Sequence, residues 1–566
     1  MNRIRSGGAT GSRAVFRLLV GLLLLASLGS VIAQEPLYVL PGPNEPVISS
    51  GTMTLVGNDL LVTNALSNSV SRVALRGGIL QAELETGRQP HGIAADGDRA
   101  YAINRQDGTL TRLALDGDAP LDVSGLVSLG ALPYGVIARD GQVLVSLQGE
   151  AALLLLDGAT GGRLARIPTP PNPTTLALWG DLLLVAHDPG GLLSLVHLPQ
   201  RQVVQTIQLA SNATRIGTPL IDNRSGRAYV PHSLANPGVD VPPDARLIPV
   251  VSVVDLATMQ PLPEAQLFLP TVDRLVNLPG AAALDRARNR LYVAHVGSGS
   301  VSVIDLRAGL AQANVPTGTA PRTLLLSRDA LSIYSHDVID QTVTVIDVSF
   351  LMPTDSLPTS DISVSPDLQL GARLFHTAAD PRLNAPHALS CAACHQGGLS
   401  MGVAWGGVDA PLLWHVEGRS AYGRRGQWAS LFDLNAHFQA NGGSGLAHDS
   451  LDAAALVRYL ESLSAPAPPR TDGDAVLGGV LFARWGCAGC HLGGGAGDGQ
   501  LHDVGTGGAF LTSDLRGLWA SAPYLHDGSV ASLRTLFTLG TDVHRLPETA
   551  SQSELQALIA YLHSLR

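Results

Sequence analysis

The chain has 566 residues, 45% hydrophobic and 15% charged, with a formal net charge of −10. That length is too great for one core and implies two or three domains. The acidic balance, set against arginine alone because the sequence has no lysine, argues against nucleic acid and anionic membrane surfaces as partners.

Arg3, Arg5, Arg13 and Arg17 make a basic opening, Leu18 to Leu25 an apolar run, and Val31-Ile32-Ala33 a small-residue cleavage site before Gln34. Residues 1–33 therefore read as a secretory signal peptide, which implies a periplasmic, cell-surface or secreted protein. The competing reading is an uncleaved anchor, since the apolar stretch from Phe16 to Ala33 is nearly long enough to span a bilayer. No later segment is long and apolar enough to do so, so signal cleavage would leave no membrane span.

Residues 35–350 repeat. Paired β-rich runs begin at Leu60, Arg99, Gln142, Leu182, Arg227, Arg290 and Leu331, which are 39, 43, 40, 45, 63 and 41 residues apart. The long interval holds the Pro-rich insertion ANPGVDVPPDARL. Each unit is preceded by a turn and strand such as GRQPHGIAADGDR or GTAPRTLLLSRDA, so four short strands recur per unit. Seven such units predict an all-β, seven-bladed propeller, with an open β-solenoid as the alternative. Val62-Thr63-Asn64 and the recurring hydrophobic-Tyr-Val-x-His/Asn and Val-x-Val-Ile-Asp patterns resemble the propellers named for the Tyr-Val-Thr-Asn repeat. That resemblance implies a fold and is nearly silent on function. His187, His232, His295 and His336 fall at one register of four units, so they are candidates either for a ring of ligands or for local packing.

All four cysteines lie in two copies of Cys-x-x-Cys-His: SCAACHQGG, residues 390–398, and GCAGCHLGG, residues 486–494. This is the attachment motif for c-type haem, in which the thiols bond the porphyrin and the histidine sits beneath the iron. A redox dithiol has no need of the histidine, and a zinc pair would lack further ligands of the right kind. The reading is two covalently bound haem c groups, held by Cys391 and Cys394 and by Cys487 and Cys490, with His395 and His491 as proximal iron ligands.

The motifs sit in a tandem duplication predicted to be all-α. Gly371-x-x-Leu374-Phe375 and Gly478-x-x-Leu481-Phe482 precede them, and ALVRYLESL and ALIAYLHSL close the modules. Module 1 covers 365–463 and module 2 covers 475–566, joined by the Pro-rich linker 464–474. Ser551-x-x-Glu554 predicts a capping box on the last helix. With HDVGTGGAF and DLRGLWASAPYLHDGSVASL, residues from about 365 to 566 resemble the di-haem cytochromes related to bacterial cytochrome c peroxidase and MauG. The resemblance implies two haems facing one another across a module interface, and peroxide chemistry or electron relay. The partners would be a small cytochrome or cupredoxin, a protein substrate, or hydrogen peroxide.

The match weakens at the second axial position. The peroxidases place a Met-Gly after the HDG segment, whereas this chain reads TLFTLGTDVH there, and no methionine follows Met401. Candidate distal ligands are His526 and His544, with Tyr524 as a further option; His415 and His437 are candidates near the first iron. Glu417 and Glu461 are the glutamates between the motifs, and neither lies in a segment that matches the family. Trp414, Trp428, Trp485 and Trp519 are candidates for electron relay or for packing on porphyrin.

The expectation is an exported di-haem redox protein, electron-transferring or peroxidase-like, with the propeller as docking platform. The alternatives are a quinohaemoprotein dehydrogenase with a quinone in the propeller, or a surface binding protein whose propeller does the work.

Overall fold

The structure is a computed structural model. It describes residues 38–115, 121–238, 241–269 and 275–565, apart from 386, 401, 403, 406–407, 420, 441–442, 448 and 542. The expected signal segment 1–33 and Met401 lie outside the described residues. The chain divides into two compact units, Met1–Val39 and Leu40–Arg566. Of the first, only Tyr38 and Val39 are described. All that follows concerns the second.

Seven antiparallel sheets form the seven blades of a propeller. They span 53–85, 90–128, 133–168, 173–208, 213–268, 279–316 and 321–358. In five blades the innermost strand opens on proline: Pro90, Pro133, Pro173, Pro279 and Pro321. Proline has no N–H to give a ladder, so the first position of a strand is where it fits, and the pairing register shifts just after each one. The two middle strands of each blade are almost wholly buried, as in Asp59–Asn64 and Ser69–Ala74, because both faces meet neighbouring blades. The fifth blade has six strands and absorbs the Pro-rich insertion. The seventh ends with Met352–Pro358, past the expected boundary at 350; that strand is exposed except at Leu357, so it carries no apolar periodicity.

The segment Val47–Ser49 adds a fifth strand to the inner edge of blade 4, pairing with Trp179, Leu178 and Ala177. The chain then crosses to blade 1, where Thr52 bonds Thr323 and His336 of blade 7. Blades 1 and 7 meet through Met53, Leu60, Val62 and Val73 against Val343 and Leu357, which closes the ring without an exchanged strand.

The register histidines are local, not a ligand ring. His187, His232 and His295 are buried and bond Ser194, Ser252 and Ser302, each on the next strand of the same blade, while His336 Nδ1 lies 2.7 Å from Thr52 Oγ1. Burial holds His187 and His232 down to about 4 and His295 and His336 to about 3, so all four are neutral at pH 7.

Beyond the propeller, five helices of seven or more residues occur among the described residues: α1 (Pro366–His376), α2 (Leu451–Ser462), α3 (Ala475–Arg484), α4 (Leu533–Leu539) and α5 (Gln552–Ser564). Helix α1 packs on α2, and α3 on α5, at glycines the duplication shares. A Cβ on Gly371 would stand 2.1 Å from the Ala455 carbonyl oxygen, and one on Gly478 2.0 Å from that of Ala557. Side chains cap the helices: Ser450 accepts from Ala453 N–H, Asp474 from Val476 and Leu477, and Ser551 and Glu554 form the capping box. The region departs from all-α in two small hairpins, Ala404–Trp405 with Val408–Asp409 and Leu501–Asp503 with Ala509–Leu511. Glycine-rich segments such as HDVGTGG turn too tightly for a helix.

Candidate haem centre

Both Cys-x-x-Cys-His motifs line one cavity of about 1100 Å³. Its walls are largely apolar: Phe375, Leu413 and Leu460 stand on the first side, Phe482, Leu536 and Leu558 on the second. Cys391–Cys394 forms a single helical turn ending on His395, and Cys487–Gly489 a 3-10 turn ahead of His491. The short turn puts both thiols and the histidine on one side of the chain. None of the four cysteines is in a disulfide. Burial pushes the Cys391 thiol up to about 12 and raises those of Cys394 and Cys487, so these are not activated redox thiolates.

Of the two motif histidines, His491 is oriented by the backbone, and His395 Nδ1 is buried without a partner among the described residues. His491 Nδ1 lies 3.1 Å from the Ser513 carbonyl oxygen. A carbonyl only accepts, so Nδ1 carries the proton and Nε2 is left with a free lone pair. Burial takes His395 down to about 3 and also lowers His491, keeping both imidazoles neutral, the form that binds iron. His437 faces the same cavity, edge-on to Trp428 with ring centroids 6.3 Å apart, and its charge would act on His395. His544 also faces the cavity, its Nδ1 3.2 Å from Thr541 Oγ1, and its charge would act on His491. His526 lines the cavity too, stacked flat on Phe510 at 3.7 Å with Nδ1 buried and unpartnered. Arg419, Arg424, Arg425 and Arg516 give the cavity cationic groups suited to carboxylates. An apolar slot, free thiols, a lone pair held outward and guanidinium groups fit haem c.

Cys490, Asp498 and His502 are the only group of possible metal ligands among the described residues. His502 Nε2 is already bonded to Asp498 at 2.7 Å, and Cys490 belongs to the haem motif, so zinc is the poorer reading.

Trp414 and Trp519, both buried, lie with ring centroids 6.1 Å apart. Trp414 Nε1 donates to the Gly397 carbonyl at 3.1 Å, two residues past His395, while Trp519 belongs to module 2. Trp428 and Trp485 line the cavity instead. Glu417 also lines it, whereas Glu461 lies near the end of α2.

The propeller grips the first motif, which sequence reasoning missed. Arg215, in the left-handed region at φ 53°, donates to the Ala393 and Cys394 carbonyls at 2.8 and 2.9 Å and pairs with Asp188 at 3.3 Å. Gln396 bonds Tyr134, and Asn277 bonds the Ala388 carbonyl and Ser390. Nothing in a repeat pattern marks these loop residues.

Residues 509–541 match the family model described as RoxA-like, cytochrome c-like. No curated protein matches the chain. Among solved structures, hydrazine synthase of Kuenenia stuttgartiensis is similar at 17% identity, over 56% of this chain and 96% of that one, with a TM-score of 0.47. The dihydro-haem d1 dehydrogenase NirN is similar at 18% identity, over 60% and 68%, at 0.40. BamB of Moraxella catarrhalis is similar at 16% identity, over 53% and 96%, at 0.38. The blade count rests on the strand pairing itself. The chain therefore joins a seven-bladed propeller to a region that is similar over 509–541 to the RoxA-like, cytochrome c-like family and carries two Cys-x-x-Cys-His motifs on one cavity.

Proposed function

We propose that the chain is an exported di-haem protein, with one haem c on each motif, that relays electrons; peroxidase-like activity is the alternative, for the case in which one iron keeps an open position. The observation that carries this is the single cavity shared by both motifs. Haem c supplies one-electron chemistry at iron. The protein would orient that chemistry: the Ser513 carbonyl fixes the His491 ring, the apolar walls would exclude water, and the arginines lining the cavity would hold the haem carboxylates. His437 and His544 are the distal ligands this reading puts to test, because both line the cavity that holds the two motifs. His526, held flat on Phe510, serves as a polar wall group. The Trp414–Trp519 pair offers the electron a route between modules.

The propeller has one face taken up by the first motif, and we assign the remainder to docking a small cytochrome, a cupredoxin or a protein substrate. A quinone inside it finds no support. The axial space among the described residues is about 70 Å³, against roughly 300 Å³ or more for a cofactor-sized ligand.

Low-temperature EPR of the ferric, haem-loaded chain tests the ligand assignment. Two low-spin signals are expected, with His437→Ala and His544→Ala each converting one to high spin. A high-spin signal in the unaltered chain would contradict closure by these histidines and favour peroxide chemistry at that iron.

A further inference from the structure

A second cavity, about 70 Å³, lies at the propeller axis, directly under the first haem motif. Its floor is Ser50, Gly51 and Thr52 of the crossing segment, and its roof is Ala392 and Gln396. At ~10–15 Å³ per water-sized group it has room for about five. Hydroxyls of Thr52, Thr175, Thr218, Thr323 and Tyr134 surround it, and Arg215 and Arg322 line it. No carboxylate does.

The charge there is unbalanced. Arg215 is offset by Asp188. Among the described residues, Arg322 has neither a hydrogen bond nor an ion pair. Arg105 stands over the Tyr134 ring at 4.9 Å, is only 7% exposed, and has one bond, from Nη2 to Gln148 Oε1, with Nη1 buried and unpartnered. His91, edge-on to Tyr134, cannot help, because burial and the charges of Arg105 and Arg322 hold it neutral. Arg105 is thus a buried cation with no carboxylate beside it, close to a cavity that the half-buried Arg322 lines unpaired, an arrangement proteins pair or fill.

We propose that this cavity binds a small monovalent anion, a halide or an oxyanion of nitrate size, with Arg322 and the surrounding hydroxyls as donors and Arg105 supplying long-range positive charge. Thr175 gives its proton to the Gly217 carbonyl, but Thr218, Tyr134 and one of the bonded pair Thr52 and Thr323 can turn a proton toward the ion, and Gln396 carries an amide to its rim. The site does not depend on haem, so it stands apart from the redox assignment.

Crystals of the full chain grown in sodium bromide give the first test, through anomalous scattering. A bromide peak inside the cavity, against Arg322, is expected. Loss of that peak in excess nitrate would identify an oxyanion site, and its survival a halide site. In solution, sodium chloride or nitrate exchanged for sodium gluconate at constant ionic strength should raise Tm saturably, and Arg322→Gln should abolish the rise. A cavity holding water alone, or the same Tm response in Arg322→Gln, would overturn the proposal. Should that variant fail to fold, the bromide measurement on the unaltered chain decides.

Discussion

Replacing Arg215 by methionine keeps much of the aliphatic stem of the side chain and removes its charge. Three contacts go with it: the ion pair to Asp188 and the hydrogen bonds to the Ala393 and Cys394 carbonyls. Both partners of the pair are buried, with side chains 4% and 8% exposed. Breaking a buried pair from one side costs about 3–5 kcal/mol, because the surviving charge stays uncompensated. The Asp188 carboxylate keeps only a 3.3 Å bond from the Ile216 N–H, too little to carry a buried charge. Adding Asp188→Asn removes that stranded charge. The double variant should therefore recover about 1–3 kcal/mol, leaving the cost of two carbonyls that have lost their donor. Urea denaturation of the full chain, followed by circular dichroism, reads the stability, and amide exchange over 390–398 reads the local opening. Arg215→Met should speed exchange in the first motif and leave the second, at 486–494, unchanged. A loss under about 1 kcal/mol, or a double variant no better than the single one, would refute the clamp.

Three further outcomes follow from the same structure. Gly371→Ala and Gly478→Ala should each destabilise by about 1–3 kcal/mol, since a methyl group meets a helix carbonyl at the α1–α2 and α3–α5 contacts; unaltered thermal unfolding would contradict that packing. Acid should unfold the propeller early. His187, His232, His295 and His336 stay neutral when folded, with pKa values near 3–4, but take up protons near 6.5 when unfolded, so stability is lost as pH falls from 6.5 toward 4. Asp337, pushed up to about 7 by burial, acts oppositely in that window and offsets one of them, so the slope approaches at most ~4 kcal/mol per pH unit; a flat profile from pH 6.5 to 4.5 would be inconsistent with these burials. Trp414→Leu should slow electron exchange between the haems while leaving haem content unchanged, and an unchanged rate in flash photolysis would remove the tryptophan pair from the route.

The blades were legible because the units repeat a buried two-strand core and, in five of the seven, a Pro-led inner strand, signals that survive without knowledge of the ring. The haem motifs were legible because their chemistry needs contiguous residues. What stayed hidden depends on distant partners. Val47–Ser49 is a strand only because the ring brings blade 4 beside it. Met352–Pro358 has one buried apolar residue, Leu357, too few to give a strand periodicity, and takes its pairing from Thr342–Asp347. Arg215 looks like any loop arginine until the fold sets the first motif against it. The register histidines show the opposite case: their alignment was visible, but their serine partners one strand away make them local packing groups.

Intact mass spectrometry after expression with a c-type maturation system tests the central claim most directly. The account predicts two haem additions per chain, one mapped to the peptide holding Cys391 and Cys394 and one to that holding Cys487 and Cys490. Free thiols or a disulfide at either pair in the matured protein would contradict it.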